Sequence, residues 1–163
     1  MEVKRNHTGS NSGFTLIELL IVIAILTVLF ALTIVAVNPI RQFAQADNTQ
    51  RRSNINALLE GVYQYAADNR GTLPVFIPST STQQIGSATS GCTITTCAAT
   101  TTTDVCLNLY PTLVPTYLAD IPKDPDQTSS STTHYAITKS TTNNRLTVTA
   151  CDAELSETIS ITR

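Results

Sequence analysis

Twenty-four residues from Phe14 to Val37 form a nearly unbroken apolar run in which only Thr15, Glu18, Thr27 and Thr33 are polar. At about 1.5 Å rise per residue such a helix spans roughly 36 Å, enough to cross a hydrocarbon core of about 30 Å with some tilt. The run is read as a membrane-spanning helix. Met1–Gly13 before it is polar and no A-x-A-like pattern closes it, so a removable signal peptide is not expected and the helix stays in the mature protein. Lys4 and Arg5 favour a cytoplasmic N-terminus by the positive-inside rule, which sends the chain beyond Val37 across the membrane.

After the run comes Asn38-Pro39, and Pro39 both lacks an N–H and clashes with the carbonyl of Val35, so a kink is expected there. From Ile40 to Asn69 the pattern turns amphipathic: Ile55, Leu58, Leu59, Val62 and Ala66 fall on one narrow stripe of 3.6-residue period. Asp47 and Arg51, spaced i, i+4, read as a solvated pair, with Arg52 adding charge on the polar side. Tyr63 and Tyr65 read as packing residues rather than a redox pair. Asn69-Arg70-Gly71 followed by Pro74 supplies a stop, with Gly71 expected in the left-handed conformation. One long kinked helix to about Arg70 is predicted, its second half leaning on a sheet.

Composition then shifts. Gly71–Thr103 holds no Asp, Glu, Lys or Arg, and Ser79–Thr103 contains ten threonines and four serines, which predicts loop with short β-segments, either unmodified or carrying O-linked sugar. Pro111 and Pro115 limit Val105–Leu118 to short helical turns. Strands are predicted over His134–Thr138, Arg145–Ala150 and Glu157–Thr162, with Thr142-Asn143-Asn144 as the turn between the first two. The expected fold class is α+β: a long helix packed on an antiparallel sheet of three or four strands, within a domain of marginal size.

All four cysteines, Cys92, Cys97, Cys106 and Cys151, lie in this exported part, where an even number favours disulfides. Three pairings are open; the favoured one joins Cys92 to Cys97 and Cys106 to Cys151. Zinc fits badly, because no C-x-x-C is present and His134 is the only exported histidine. There is no H-E-x-x-H, G-x-S-x-G or P-loop, so neither catalysis nor a cofactor is expected. Asp120, Asp124 and Asp126 supply hard oxygens that suit calcium, but they also read as capping carboxylates of a proline-stiffened turn with Lys123 in its middle. Beyond Gly13 the chain carries eight basic and eleven acidic residues, so electrostatic capture of nucleic acid is not expected.

Gly-Phe-Thr-Leu-Ile-Glu-Leu-Leu, beginning at Gly13, resembles the class III signal of type IV pilins and of type II secretion pseudopilins. The Ile121-Pro122-Lys123-Asp124-Pro125 turn is similar to one in many of those proteins. The resemblance implies a pilin-like fold with four parts: a leader over 1–13, a membrane or filament-core helix over 14–38, an amphipathic second half over 39–70, and an extracytoplasmic domain over 71–163. It implies cleavage between Gly13 and Phe14 by a prepilin peptidase, and an N-methylated Phe14. Glu18 meets this on physical grounds. An ionisable side chain in a membrane helix costs about 2.5–3.5 kcal/mol at the centre and less toward the end, and Phe14–Ile40 contains no Lys or Arg to neutralise it. The α-amine created at Phe14 is the nearest cation. It lies one turn away in cis, and the resemblance implies pairing with the amine of a neighbouring subunit; snorkelling to the headgroups is the plainer alternative. Where the family commonly carries a proline and a glycine, this chain has Val35 and Thr27, so any unwinding of the helix is expected just before Pro39.

Two roles follow from the resemblance. One is a structural pilin that leaves the cytoplasmic membrane and, driven by an assembly platform and its ATPase, polymerises with itself into a surface pilus for adhesion, twitching motility or DNA uptake. The other is a pseudopilin whose periplasmic filament serves protein export. An enzyme is not expected.

Overall fold

The computed structural model describes residues 13–79, 81–92, 97 and 104–163. The chain divides into two units, Met1–Pro39 and Ile40–Arg163. The first contains α1 (Leu16–Val37), of which no residue is buried. Its hydroxyls are satisfied within the helix, Thr27 Oγ1 donating to the Ala24 carbonyl and Thr33 Oγ1 to that of Phe30, each at 2.8 Å. Neither threonine therefore leaves an orphan donor on an apolar surface. The helix ends at Asn38, whose φ of 45° and ψ of 77° are left-handed. Proline disfavours the right-handed helical region in the residue before it, and Asn tolerates the left-handed one better than most residues do. Pro39 then opens α2 (Pro39–Asp68), where its missing N–H removes no helical hydrogen bond.

In the second unit α2 buries Ile55, Leu58, Leu59, Val62 and Ala66, the predicted stripe, and extends it toward the N-terminus through Ala44, Asn48 and Arg51. The helix closes with Gly71 N–H donating to the Ala66 carbonyl at 2.7 Å, and both Arg70 (φ 57°) and Gly71 (φ 81°) take left-handed backbone. A four-stranded antiparallel sheet follows in the order β1 (Gln83–Gln84), β2 (Tyr135–Lys139), β3 (Leu146–Ala150), β4 (Ile159–Thr162). Its inner face supplies Tyr135, Ile137, Leu146, Val148, Ala150 and Ile159, and these form one core with the α2 stripe. The β2–β3 turn is closed by Ser140 N–H to the Arg145 carbonyl, with Asn144 at φ 55° and Asn143 Oδ1 accepting from Arg145 N–H. Strand β1, two residues long, falls in the stretch where loop with short β-segments is expected and supplies the fourth strand. A one-turn helix, α3 (Tyr110–Leu113), places Leu113 in the core.

The four cysteines form two disulfides, but not the expected ones: Cys92 pairs with Cys106 and Cys97 with Cys151. Proximity in sequence misled because residues 84–92 are aligned with 104–107. Ile85 and Leu107 form a parallel bridge, Leu107 N–H donates to Gln84 O at 2.8 Å, and Cys92 N–H donates to Asp104 O at 3.0 Å. That alignment brings Cys106 against Cys92. Cys151, just past β3, packs instead with Ala136 and Cys97 in a second, smaller cluster. Eight of the ten threonines of the Ser79–Thr103 stretch, within 80, 93–96 and 98–103, lie outside the described residues, as does the proposed leader before Gly13.

Candidate processing and assembly segment

Gly13, Phe14 and Thr15 are non-helical and exposed, so the peptide bond between Gly13 and Phe14 lies in open chain just before the first helical turn. Phe14 is 86% exposed. A Cβ added at Gly13 would meet nothing within 4 Å, and Gly13 is not among the residues with left-handed backbone. Among the described residues nothing therefore requires glycine there. Thr15, with φ −81° and ψ 150°, is the N-cap of α1, and its Oγ1 accepts from the Glu18 N–H at 3.3 Å. The cap fixes where the helix begins. It sets Glu18 in the first turn, where the helix dipole favours a carboxylate. Thr15-Leu16-Ile17-Glu18 also has the spacing of a capping box, a signal present in the sequence and missed there.

Between Leu16 and Val37, Glu18 is the one ionisable side chain on a 22-residue helix long and apolar enough to cross a membrane. Every side chain of α1 is exposed, including Ile17, Leu20, Ile23, Leu29 and Ile34. A single chain thus carries a continuous apolar cylinder that it does not cover.

Residues 9–36 match the family model described as the prokaryotic N-terminal methylation motif. This is the class III signal typical of type IV pilins and pseudopilins. The match takes in the junction, the Thr15 cap and nearly all of α1, and none of the sheet domain. No curated protein and no solved structure matches the chain.

The other charged constellation lies in the second unit and corrects the expectation of a solvated Asp47–Arg51 pair. Arg51 is fully buried. Its Nε and Nη2 donate to the two oxygens of Asp124 at 2.7 and 3.0 Å, Nη2 also reaches Asp126 at 2.8 Å, and Nη1 reaches Glu154 at 2.9 Å. Asn48 completes the cluster, its Oδ1 accepting from Arg51 Nη1 and from Glu154 N–H and its Nδ2 donating to the Glu154 carbonyl. The hydrogen bond to Asp124 is the largest influence holding the guanidinium charged, and it outweighs burial. The signal was present in the heptad-like spacing, because residues 51 and 48 lie four and seven before Ile55 on the same stripe.

The same contacts bear on calcium. Asp124 and Asp126 share Arg51, while Asp120 Oδ1 accepts from Ile121 N–H at 2.8 Å, so two of the three carboxylates are held by a cation and the third by backbone. Among the described residues no group of three His, Cys, Asp or Glu is placed to hold a metal ion. His134, expected in a strand, precedes β2 with φ 59° and pairs through Nδ1 with Asp152.

Proposed function

We propose that the chain is a structural pilin, cleaved between Gly13 and Phe14 by a prepilin peptidase, methylated at the new N-terminus, and polymerised through α1 into a type IV pilus. The observation that carries this is the conjunction of the methylation motif with a helix that has no buried residue and holds one carboxylate in its first turn. A bilayer covers such a helix before assembly, and copies of the same helix cover it afterwards. Exchange between those two surroundings gains little hydrophobic energy, so close packing and a satisfied Glu18 must favour the polymer, with an ATP-driven platform doing the work of extraction. In the filament the Phe14 amine of one subunit neutralises Glu18 of its neighbour, which sets the stagger between subunits. The product is an extracellular fibre, and adhesion, twitching motility or DNA uptake is its use.

A pseudopilin of a type II secretion system is the second reading, favoured by the Ile121-Pro122-Lys123-Asp124-Pro125 turn. The exposed disulfide-tied domain favours a pilus. Glu18→Ala separates processing from assembly: immunoblotting should show leader removal unchanged while electron microscopy of sheared cells shows fibres lost. Normal fibres from that variant would refute the assembly role. Deleting the chain distinguishes the two readings, since loss of secreted enzymes with surface fibres intact selects the pseudopilin.

A further inference from the structure

Beside α3 the sheet domain carries an open pocket of about 340 Å³, within the size range of small-ligand sites. Its floor is apolar and built from Ile85, Leu109 and Ile121, all buried. Its rim is formed by Ser87, Asn108, Tyr110 and Ser130, all exposed, and among the described residues no charged side chain lines it. The adjoining depression shares Ile121 and Ser130 and contains Asp120 and Lys123, one charge of each sign. Both are engaged locally: Asp120 Oδ1 accepts from Ile121 N–H, and Lys123 Nζ donates to the Thr128 carbonyl.

The hydrogen bonding around the pocket is uneven. Hydroxyls of the same loop that face elsewhere are paired, Ser129 Oγ with Ser131 Oγ at 2.6 Å and Thr133 Oγ1 with the Ile85 carbonyl at 2.6 Å. The hydroxyls of Ser87, Ser130 and Tyr110 and the Nδ2 of Asn108 bond no other side chain or backbone among the described residues, so they meet solvent at the rim. Asn108 is oriented by its other end, with Oδ1 accepting from Tyr110 N–H at 3.0 Å.

The walls are fixed. Gly86 N–H donates to the Leu107 carbonyl at 3.1 Å, Ala88 N–H to that of Ser131 at 3.0 Å, and the Cys92–Cys106 disulfide lies behind them. The 129–131 loop passes so close that a Cβ on Gly86 would sit 2.1 Å from the Ser131 carbonyl oxygen. A wall held in this way loses little further freedom when something binds.

We propose that this pocket binds a neutral saccharide residue. The chemistry of the lining selects the class. A charge-free site gives an ionic ligand nothing to replace its lost hydration. Rotatable hydroxyls both donate and accept, which suits a ring of ligand hydroxyls better than the fixed donor–acceptor edge of a base. The C–H face of a sugar matches the apolar floor and the half-exposed Tyr110 ring. The site lies wholly in the 40–163 unit and is complete in a single chain, so it does not depend on filament formation.

The test is saturation-transfer NMR on the full chain in a zwitterionic detergent without a sugar headgroup. The probes are glucose, galactose and N-acetylgalactosamine, with N-acetylneuraminic acid as the anionic comparator. At least one neutral sugar should receive saturation on its ring protons, with little change when salt is raised. The signal should vanish in Ser87→Trp and in Ser130→Trp, which fill the pocket from exposed positions, and weaken severalfold in Tyr110→Ala. Amide spectra confirm that each variant is folded, and a variant that is not folded is set aside for the other. Silence from all three neutral sugars overturns the proposal. So does transfer that survives in a folded tryptophan variant, or a preference for the anionic sugar that salt abolishes.

Discussion

Arg51 shows at the scale of one residue how a charge can be committed to a fold. Its guanidinium and the Asp124 carboxylate are both without solvent exposure and meet through two hydrogen bonds, whereas the Asp126 side chain is 60% exposed. Removing one member of a buried pair costs about 3–5 kcal/mol when the other charge is left uncompensated and less here, where Asp126 and Glu154 stay on the guanidinium, while an exposed partner is worth about 1 kcal/mol or less. Asp124→Ala should therefore lower the chemical-denaturation free energy several times more than Asp126→Ala. Equal effects would mean that Arg51 is anchored by its surroundings as a whole rather than by Asp124. Tyr135, 0% exposed, accepts from Asn54 Nδ2 at 2.9 Å, and burial is the chief cause that pushes its hydroxyl up to about 12. The folded chain holds this proton more tightly than the unfolded chain, whose tyrosines titrate near 10. The resulting stability is fully present below about pH 10 and is lost as pH rises through about 12, by on the order of 2–3 kcal/mol. Tyr135→Phe should flatten most of that fall in unfolding free energy. It leaves a smaller part, because burial and Asp68 raise Tyr117 in the same direction.

At the scale of elements, the apolar run, the α2 stripe and the β2–β3 hairpin were legible because each depends on local periodicity and turn chemistry. What was not legible depends on which segments lie side by side. Cys92 and Cys97 are five apart in sequence, yet Cys92 bonds Cys106 because residues 104–107 run beside 84–92. Arg51 looked like a surface residue because arginine usually is one, and its carboxylate partners lie 73 and more residues away. Gly86 owes its role to the same kind of distant contact. It has no left-handed backbone to mark it, and the crowding comes from the Ser131 backbone and the Cys106 sulfur, which the fold brings up against it. A Cβ would lie 2.1 Å from a backbone oxygen that cannot turn aside as a flexible side chain would. Gly86→Ala should thus destabilise the domain by about 1–3 kcal/mol, the ordinary range for overpacking. Gly61→Ala makes the informative contrast: its Cβ would meet only the Leu118 side chain, and alanine favours helix over glycine by about 1 kcal/mol. Thermal unfolding of the two variants should show clearly the larger loss at Gly86.

For the molecule as a whole, the two units meet opposite demands. The first carries an apolar helix none of whose residues is buried, which the proposed function covers first with lipid and then with other copies. The second must hold together around one small core, where domains of this size are marginal. The disulfides supply what the core lacks, and they do so unequally. Cys92–Cys106 closes 14 residues and Cys97–Cys151 closes 54. On the loop-entropy account these restrict the unfolded chain by about 3 and about 4 kcal/mol respectively, and because Cys97 lies inside the first loop the two contributions are not simply additive. The double substitution of Cys97 and Cys151 by serine should therefore lower the unfolding free energy more than that of Cys92 and Cys106. Neither should alter leader removal, since the Gly13–Phe14 junction belongs to the other unit. Denaturation of the full chain in micelles, with and without reductant, measures the first expectation, and immunoblotting of the leader measures the second. A processing defect in either cysteine variant would show that the peptidase reads more than the junction, and the independence of the two units would then fail at the first step of maturation.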